Sequence, residues 1–245
     1  MLVRHVEELT LNAWPALNNL MYDGWVLSFS EGYTRRANSI HPLYPSTLPL
    51  ADKIAACEAS YAARGQQTVF KLTDSDLELD ATLERLGYAS AGTTSVQIAD
   101  LSRLDSPVDG SVVLRSSLEA DWQADFNRLS AIPDRFRATM QRMLRNIAPA
   151  HAFASISVGG QSVALGLAVA ERGYVGLFDI VVDATVRNQG LGRRIVTRLL
   201  QWGRDHNATR AHLAVVLDNA PALHLYAQLG FTEAYRYWYR HKGTS

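Results

Sequence analysis

The chain has 245 residues, and its 24 lysines plus arginines balance 24 aspartates plus glutamates, which excludes a nucleic-acid or membrane-surface partner held by bulk charge. A single cysteine, Cys57, excludes an internal disulfide, and without a signal-peptide pattern at Met1–His5 or an apolar run of membrane-span length a cytoplasmic protein is expected. That length supports one large or two small domains with no need of metal or disulfide reinforcement.

In chain order, Gly24–Phe29 and Glu31–Ile40 read as a hairpin whose second strand carries the adjacent Arg35 and Arg36. Adjacent strand residues point to opposite faces, so one of the two is expected to need an internal acid or a ligand, an ion pair being favoured. His41–Pro49 follows, with three prolines and no glycine. Thr68–Leu72 reads as a strand, then a helix ends at Leu83-Glu84-Arg85-Leu86-Gly87-Tyr88, and a further strand lies near Thr94–Ile98. Ala99–Gly110 has weak periodicity and turn residues, as a linker does, which places a boundary near residue 105 and divides the chain into 1–104 and 105–245.

Beyond it, Val112–Leu114 reads as a strand, Leu118–Leu129 and Arg135–Ile147 as helices, and His151–Val158 with Ser162–Ala170 as a hairpin turning at Gly159-Gly160. Tyr174–Val182 is the next strand. It runs into Arg187-Asn188-Gln189-Gly190-Leu191-Gly192-Arg193, which opens a helix to about Arg204 with Leu191, Ile195, Leu199 and Trp202 on one stripe and Arg193, Arg194, Arg198 and Gln201 elsewhere. A helix start leaves four N–H groups without partners and carries partial positive charge, so this loop suits a phosphate or pyrophosphate. Neither a Rossmann fingerprint nor a P-loop is present. Strand Ala211–Leu217, Asp218-Asn219-Ala220-Pro221, a short helix and Leu225-Tyr226-Ala227-Gln228-Leu229-Gly230-Phe231 complete the pattern, before an aromatic strand at Tyr235–Tyr239.

Arg187-x-x-Gly190-x-Gly192 together with Asn219, Tyr226 and Gly230-Phe231, in that order and spacing, resembles the GNAT superfamily of N-acyltransferases over roughly Val112 to Lys242. The first half holds an imperfect copy. Thr68–Leu72, the helix ending Leu83–Gly87-Tyr88 and the strand near Thr94–Ile98 parallel Ala211–Leu217, Leu223–Leu229-Gly230-Phe231 and Tyr235–Tyr239. In that copy Leu83 stands for Tyr226 and the proline-rich His41–Pro49 stands for the glycine loop, so it has neither a proton to give nor the amides to cradle a pyrophosphate. The whole chain is similar to bacterial tandem GNAT proteins, which implies an α/β fold of two tandem halves with mixed sheets: a degenerate half in 1–104 and an acetyl-CoA-binding half in 105–245.

The resemblance implies acetyl-CoA as acyl donor, with Arg187, Asn188, Gln189, Gly190, Leu191, Gly192 and Arg193 at the pyrophosphate, assisted by Arg193 or Arg194. It further implies backbone bonds from Ile180, Val181 and Val182 to the pantetheine arm, and contacts from Asn219 and Tyr226. Tyr226 is the expected general acid for the departing thiolate, and Asp179 the candidate base, its alternative being a structural hydrogen-bonded aspartate. The ordinary readings of Tyr226 and Asn219 are a packing tyrosine and a helix cap. The seven histidines lack metal-ligand spacing, and His212 and His224 read as packing or surface residues, so no metal is expected. Direct transfer to a primary amine in a ternary complex is expected. A small-molecule acceptor fits the balanced charge and a cleft that the first half is expected to wall. The alternatives are a catalytically inactive acyl-CoA-binding regulatory module and a nucleotide- or phosphate-binding domain. Oligomeric state is not legible.

Overall fold

The computed structural model describes residues 1–103 and 109–242, so the boundary expected near residue 105 lies outside the described residues. The chain forms two compact units, Met1–Ser95 joined by Tyr235–Ser245, and Val96–Ala234. A single cut of the sequence cannot produce this division, because the last strand belongs largely to the first unit.

The first unit contains α1 (Leu2–Ala13), β1 (Asn18–Tyr22), β2 (Trp25–Phe29), β3 (Ile40–Pro42), α2 (Leu50–Ala62), β4 (Val69–Thr73), α3 (Leu77–Arg85) and the start of β5 (Ala89–Asp100). The second contains the end of β5, then β6 (Val113–Arg115), α4 (Ala120–Leu129), α5 (Asp134–Arg145), β7 (Ala150–Val158), β8 (Gln161–Glu171), β9 (Tyr174–Val182), α6 (Leu191–Asp205), β10 (Arg210–Val216) and α7 (Ala220–Gln228). The final strand, β11 (Thr232–His241), starts in the second unit and gives residues 235–241 to the first, where Tyr237 to His241 pair antiparallel with Thr73 to Val69 of β4.

Strand order in the first unit is β1-β2-β3-β4-β11-β5, with β3 and β4 parallel. Its core gathers Trp25, Leu27, Phe29, Ile54, Tyr61 and Phe70. The hairpin here is β1 with β2, turning at Asp23-Gly24, where both residues have the positive φ that a tight two-residue turn needs. Arg35 and Arg36 therefore do not lie on a hairpin strand, as their sequence had suggested, but on a single 3-10 turn at Arg35–Ala37. Asn38 explains the difference. Its side-chain oxygen accepts from the amides of Ser30 and Gly32, and its nitrogen donates to the carbonyls of Tyr33 and Thr34, so one amide folds residues 30–38 into a loop. The Arg35 guanidinium lies 5.9 Å over the Tyr239 ring and that of Arg36 lies 5.5 Å over Trp14.

In the second unit the order is β5-β10-β9-β8-β7-β6. β8 is buried along most of its length, as a central strand covered on both faces should be. On one face α6 buries Leu191, Ile195, Val196, Leu199 and Leu200 against β7, β8 and β9. Trp202, assigned to that stripe from sequence, is only half-buried and stacks on His206 at 4.1 Å, while Gln201, expected outside, is buried. α4 docks through Trp122, whose indole N–H donates to the Ala154 carbonyl at 3.0 Å and whose ring stacks on Phe126.

The two copies seen in the sequence end their helices identically. In α3, Gly87 N–H bonds the Glu84 carbonyl at 2.9 Å and Tyr88 N–H bonds Leu83 at 3.0 Å; after α7, Gly230 bonds Ala227 at 3.1 Å and Phe231 bonds Tyr226 at 3.0 Å. Both are Schellman caps, with φ of 82° at Gly87 and 84° at Gly230, so Leu83 and Tyr226 occupy equivalent positions. A Cβ at either glycine would meet nothing within 4 Å, which leaves backbone strain as the main cost of substitution. Gly87→Ala and Gly230→Ala should therefore destabilise by similar amounts, about 1 kcal/mol each and a Tm loss of about 2–4 °C. Calorimetry that finds one substitution neutral and the other severe would break the equivalence.

Candidate active site

β9 carries an interruption that the strand pattern does not show. It pairs antiparallel with β8 as Leu167↔Phe178 and Leu165↔Val181, so Asp179 and Ile180 together face Gly166 across a β-bulge. Asp179 has φ of 53°, a left-handed conformation that aspartate tolerates better than most residues. Gly166 has to be small. A Cβ there would lie 2.7 Å from Ile180 Cδ1 and 2.8 Å from Ile195 Cγ2, so the bulge and α6 both close onto its backbone. A lone glycine inside a strand is the sequence signal for such a feature, and it had not been read.

On its other edge, β9 pairs parallel with β10 from Arg210↔Tyr174 to Leu213↔Leu177. Beyond Leu177 the register does not continue, and the strand residues from Phe178 to Val182 include the bulge and the Ile180, Val181 and Val182 expected to bind a pantetheine arm. Here lies an edge of backbone that can accept an added strand.

The strand then leads through a one-turn 3-10 helix, Ala184–Val186, capped by Asp183, whose carboxylate accepts from the Thr185 amide at 2.9 Å and receives Arg128 at 3.2 Å. Arg187, Asn188, Gln189 and Gly190 are exposed. Asn188 and Gly190 have φ of 63° and 77°, and Gly190 is the N-cap of α6 with no side chain bonded to the helix start. The amides of Leu191, Gly192 and Arg193 follow directly, in the first turn of α6. Gly192 marks where three elements converge. A methyl group there would rest 3.5 Å from Leu225 Cδ2 of α7 and 3.7 Å from Val182 Cγ2 of β9, ordinary contacts that do not demand a glycine.

The arginines are divided between tasks. Arg194 does not serve the loop, because its guanidinium bonds Asp109 at 2.6 Å and Ser111, and these contacts hold the Asp109 carboxyl well below its usual range. Arg193 bonds the Gln228 side chain and so links α6 to α7. Arg187 Nε contacts the Val182 carbonyl at 3.4 Å.

Asn219 and Tyr226 sit at opposite ends of α7. Asn219 is exposed and caps the helix, accepting from the Ala222 amide at 3.2 Å. Tyr226, in the last turn, is buried against Phe231 at 5.8 Å. Burial pushes its phenol up to about 12, so it is protonated at neutral pH and has a proton to give. His212 is buried, packed edge-on against Phe178 at 5.9 Å, and His224 is exposed and bonded to Gln228 at 2.7 Å. Cys57, in the other unit, is fully buried and burial raises its thiol to about 12, so it is no nucleophile. Among the described residues no helix is long and apolar enough to cross a membrane, and no group of three metal-ligating side chains is present.

The family model described as "Probable histone acetyltransferase Rv0428c C-terminal" matches residues 2–240. A similar sequence is the "Uncharacterized N-acetyltransferase YobR" of Bacillus subtilis (strain 168), 24% identical, with 98% of both proteins covered. Among solved structures, a GCN5-related N-acetyltransferase from Kribbella flavida superposes with TM-score 0.74 at 15% identity, covering 99% of this chain and 96% of that one. A tandem GNAT protein from the clavulanic acid biosynthesis pathway gives 0.65 at 14% identity, covering 98% and 88%. At such identities the structural likeness speaks for the fold, two tandem halves included.

The two loop glycines should separate in a stability measurement. Gly190→Ala imposes a left-handed conformation on alanine and should cost about 1 kcal/mol, whereas Gly192→Ala, with ordinary contacts and better helix propensity, should leave Tm unchanged or raised. A large Tm loss for Gly192→Ala in thermal denaturation would mean that the fold itself needs the glycine.

Proposed function

Because the chain belongs to the family described as probable histone acetyltransferase Rv0428c C-terminal, and with it to the GNAT N-acyltransferases, we propose that it moves an acetyl group from acetyl-CoA to a primary amine of a small molecule. The observation that carries this reading is the convergence at Gly192 of an uncapped helix start, the end of a bulged strand and the helix bearing Tyr226.

In this reading the amides of Leu191, Gly192 and Arg193 take the diphosphate, with Arg187, Asn188, Gln189 and Gly190 lining its approach. The backbone of Ile180, Val181 and Val182 extends to the pantetheine amides, and Asn219 contacts the donor from the start of α7. The neutral amine attacks the thioester carbonyl carbon, the C–S bond breaks, and Tyr226 protonates the departing thiolate. Asp179, displaced from regular pleating by the bulge, accepts the ammonium proton directly or through water. Covalent catalysis has no candidate nucleophile in the buried Cys57, so transfer is direct.

For the acceptor, the family's description names a histone acetyltransferase. A lysine-rich tail is best attracted by an acidic surface, and this chain's charges balance at 24 and 24, which favours a small amine. Thiol release from acetyl-CoA, measured over an amine library and a histone-tail peptide, separates the two: turnover with small amines alone supports the proposal, and turnover with the peptide alone overturns it.

Tyr226→Phe removes the proton and keeps the ring. Turnover should fall by about two orders of magnitude, with the KM for acetyl-CoA within about twofold, measured by steady-state thiol release. Unchanged turnover would dismiss Tyr226 as the acid. Gly192→Ala should do the reverse, raising the KM for acetyl-CoA about tenfold with little change in kcat, because in this reading the diphosphate lies against the Gly192 backbone, which a side chain would hold it away from, while the reacting atoms lie elsewhere.

A further inference from the structure

A cavity of about 160 Å³ opens in the first unit, near the carboxyl ends of the parallel strands β3 and β4 and beside α1. Its wall includes Arg4 and Glu7 of α1, His41 of β3, Lys71 of β4, and Ser75 and Asp76 ahead of α3. Two of these satisfy one another. Lys71 Nζ lies 2.5 Å from Glu7 Oε2, both side chains are almost inaccessible, and the Tyr235 hydroxyl donates to Glu7 Oε1 at 2.7 Å.

Three other polar groups on the same wall are not matched. Arg4 is exposed, its guanidinium lies 5.5 Å over the Tyr44 ring, and among the described residues no carboxylate stands within ion-pair distance of it. Asp76 Oδ2 accepts from the amide and hydroxyl of Thr73, both at 2.8 Å, but no cation neutralises the carboxylate, and burial holds it above its usual range. His41 is buried, with Nε2 3.2 Å from Ser39 Oγ, and its Nδ1 has no hydrogen-bond partner. Burial and the nearby Lys71 depress this imidazole to about 3, so it is neutral and offers Nδ1 as a hydrogen-bonding group, not as a charge. Buried polar atoms are nearly always paired, and an exception at a cavity wall calls for a missing partner.

One small void thus collects a cation without an anion, an anion without a cation and a buried nitrogen without a bond. We infer that this cavity binds a small zwitterion of the α-amino acid class, its carboxylate on Arg4 and its ammonium group on Asp76. A simple anion would be repelled by Asp76, and a simple amine by Arg4, while Lys71 and Glu7 cancel one another. The volume, close to the roughly 150 Å³ that benzene fills, suits the small side chains of alanine and serine better than an aromatic one. Asp76 stands at the same distance before its helix-ending glycine as Asn219 does in the other copy. The site is independent of the acyl-transfer reading, because none of its residues takes part in that chemistry.

Isothermal titration of the full chain with L-alanine and L-serine tests it, with acetate, ethylamine and L-phenylalanine as controls. Saturable binding of the two small amino acids is expected, with each control at least tenfold weaker. Arg4→Met, at an exposed position, and Asp76→Asn, which keeps an oxygen for Thr73, should each weaken binding at least tenfold with Tm within a few degrees of the parent. No saturable heat, acetate binding as tight as alanine, or alanine binding that survives both substitutions would each overturn the inference. Should Asp76→Asn fail to fold, Arg4→Met alone decides.

Discussion

The chemistry available to the second unit depends on one backbone interruption, the bulge that sets Asp179 and Ile180 of β9 against the single residue Gly166 of β8. A regular strand would have continued its parallel ladder with β10 beyond Leu177 and Leu213, consuming the amides and carbonyls that now border the candidate site. Left-handed geometry at Asp179 turns the strand, Gly166 lets Ile180 and Ile195 close over it, and Val182 is delivered beside the first turn of α6. The uncapped amides of that turn, the strand edge and α7 then meet around Gly192. Bulges are disruptive to a sheet, and their placement beside functional sites reflects what the disruption releases.

The two tandem halves show how the same local fold diverges in use. Both close a helix with the same pair of cap hydrogen bonds at Gly87 and Gly230. The loops before α2 and α6 differ in who occupies the amides. In the second unit the start of α6 has no side-chain cap. In the first, the carboxylate of Asp23 accepts from the amides of Thr47 and Leu48 at 2.9–3.0 Å and from the Thr47 hydroxyl at 2.8 Å. The Leu48 amide, with the Thr47 groups and Lys53, holds that carboxyl far below its usual range. Neither helix start carries a side-chain cap, so what separates the two loops is this internal anion on the amides just ahead of α2. The first unit's own unmatched charges lie elsewhere, around Arg4 and Asp76.

Much of this was legible in the sequence. Apolar periodicity located α6 and β7 to β10 within a residue or two, and the glycines ahead of α6 and after α7 marked real backbone requirements at Gly190 and Gly230. What sequence missed was set by tertiary contacts. No local pattern says that Asn38 will gather four backbone groups and bend Arg35 and Arg36 out of a strand. None says that Arg194 will be taken by Asp109 across a long stretch of chain. The transfer of residues 235–241 to the first unit is likewise invisible, since an aromatic strand reads the same whichever neighbour it pairs with. Asp179 was singled out for its charge, whereas its backbone is what distinguishes it.

A crystal structure of the full chain with acetyl-CoA tests the central claim most directly. The account predicts diphosphate oxygens within hydrogen-bond distance of the amides of Leu191, Gly192 and Arg193, and pantetheine amides paired with the backbone of residues 180–182. A donor bound elsewhere, or a helix start that closes on its own side chains while the donor occupies another pocket, would contradict it.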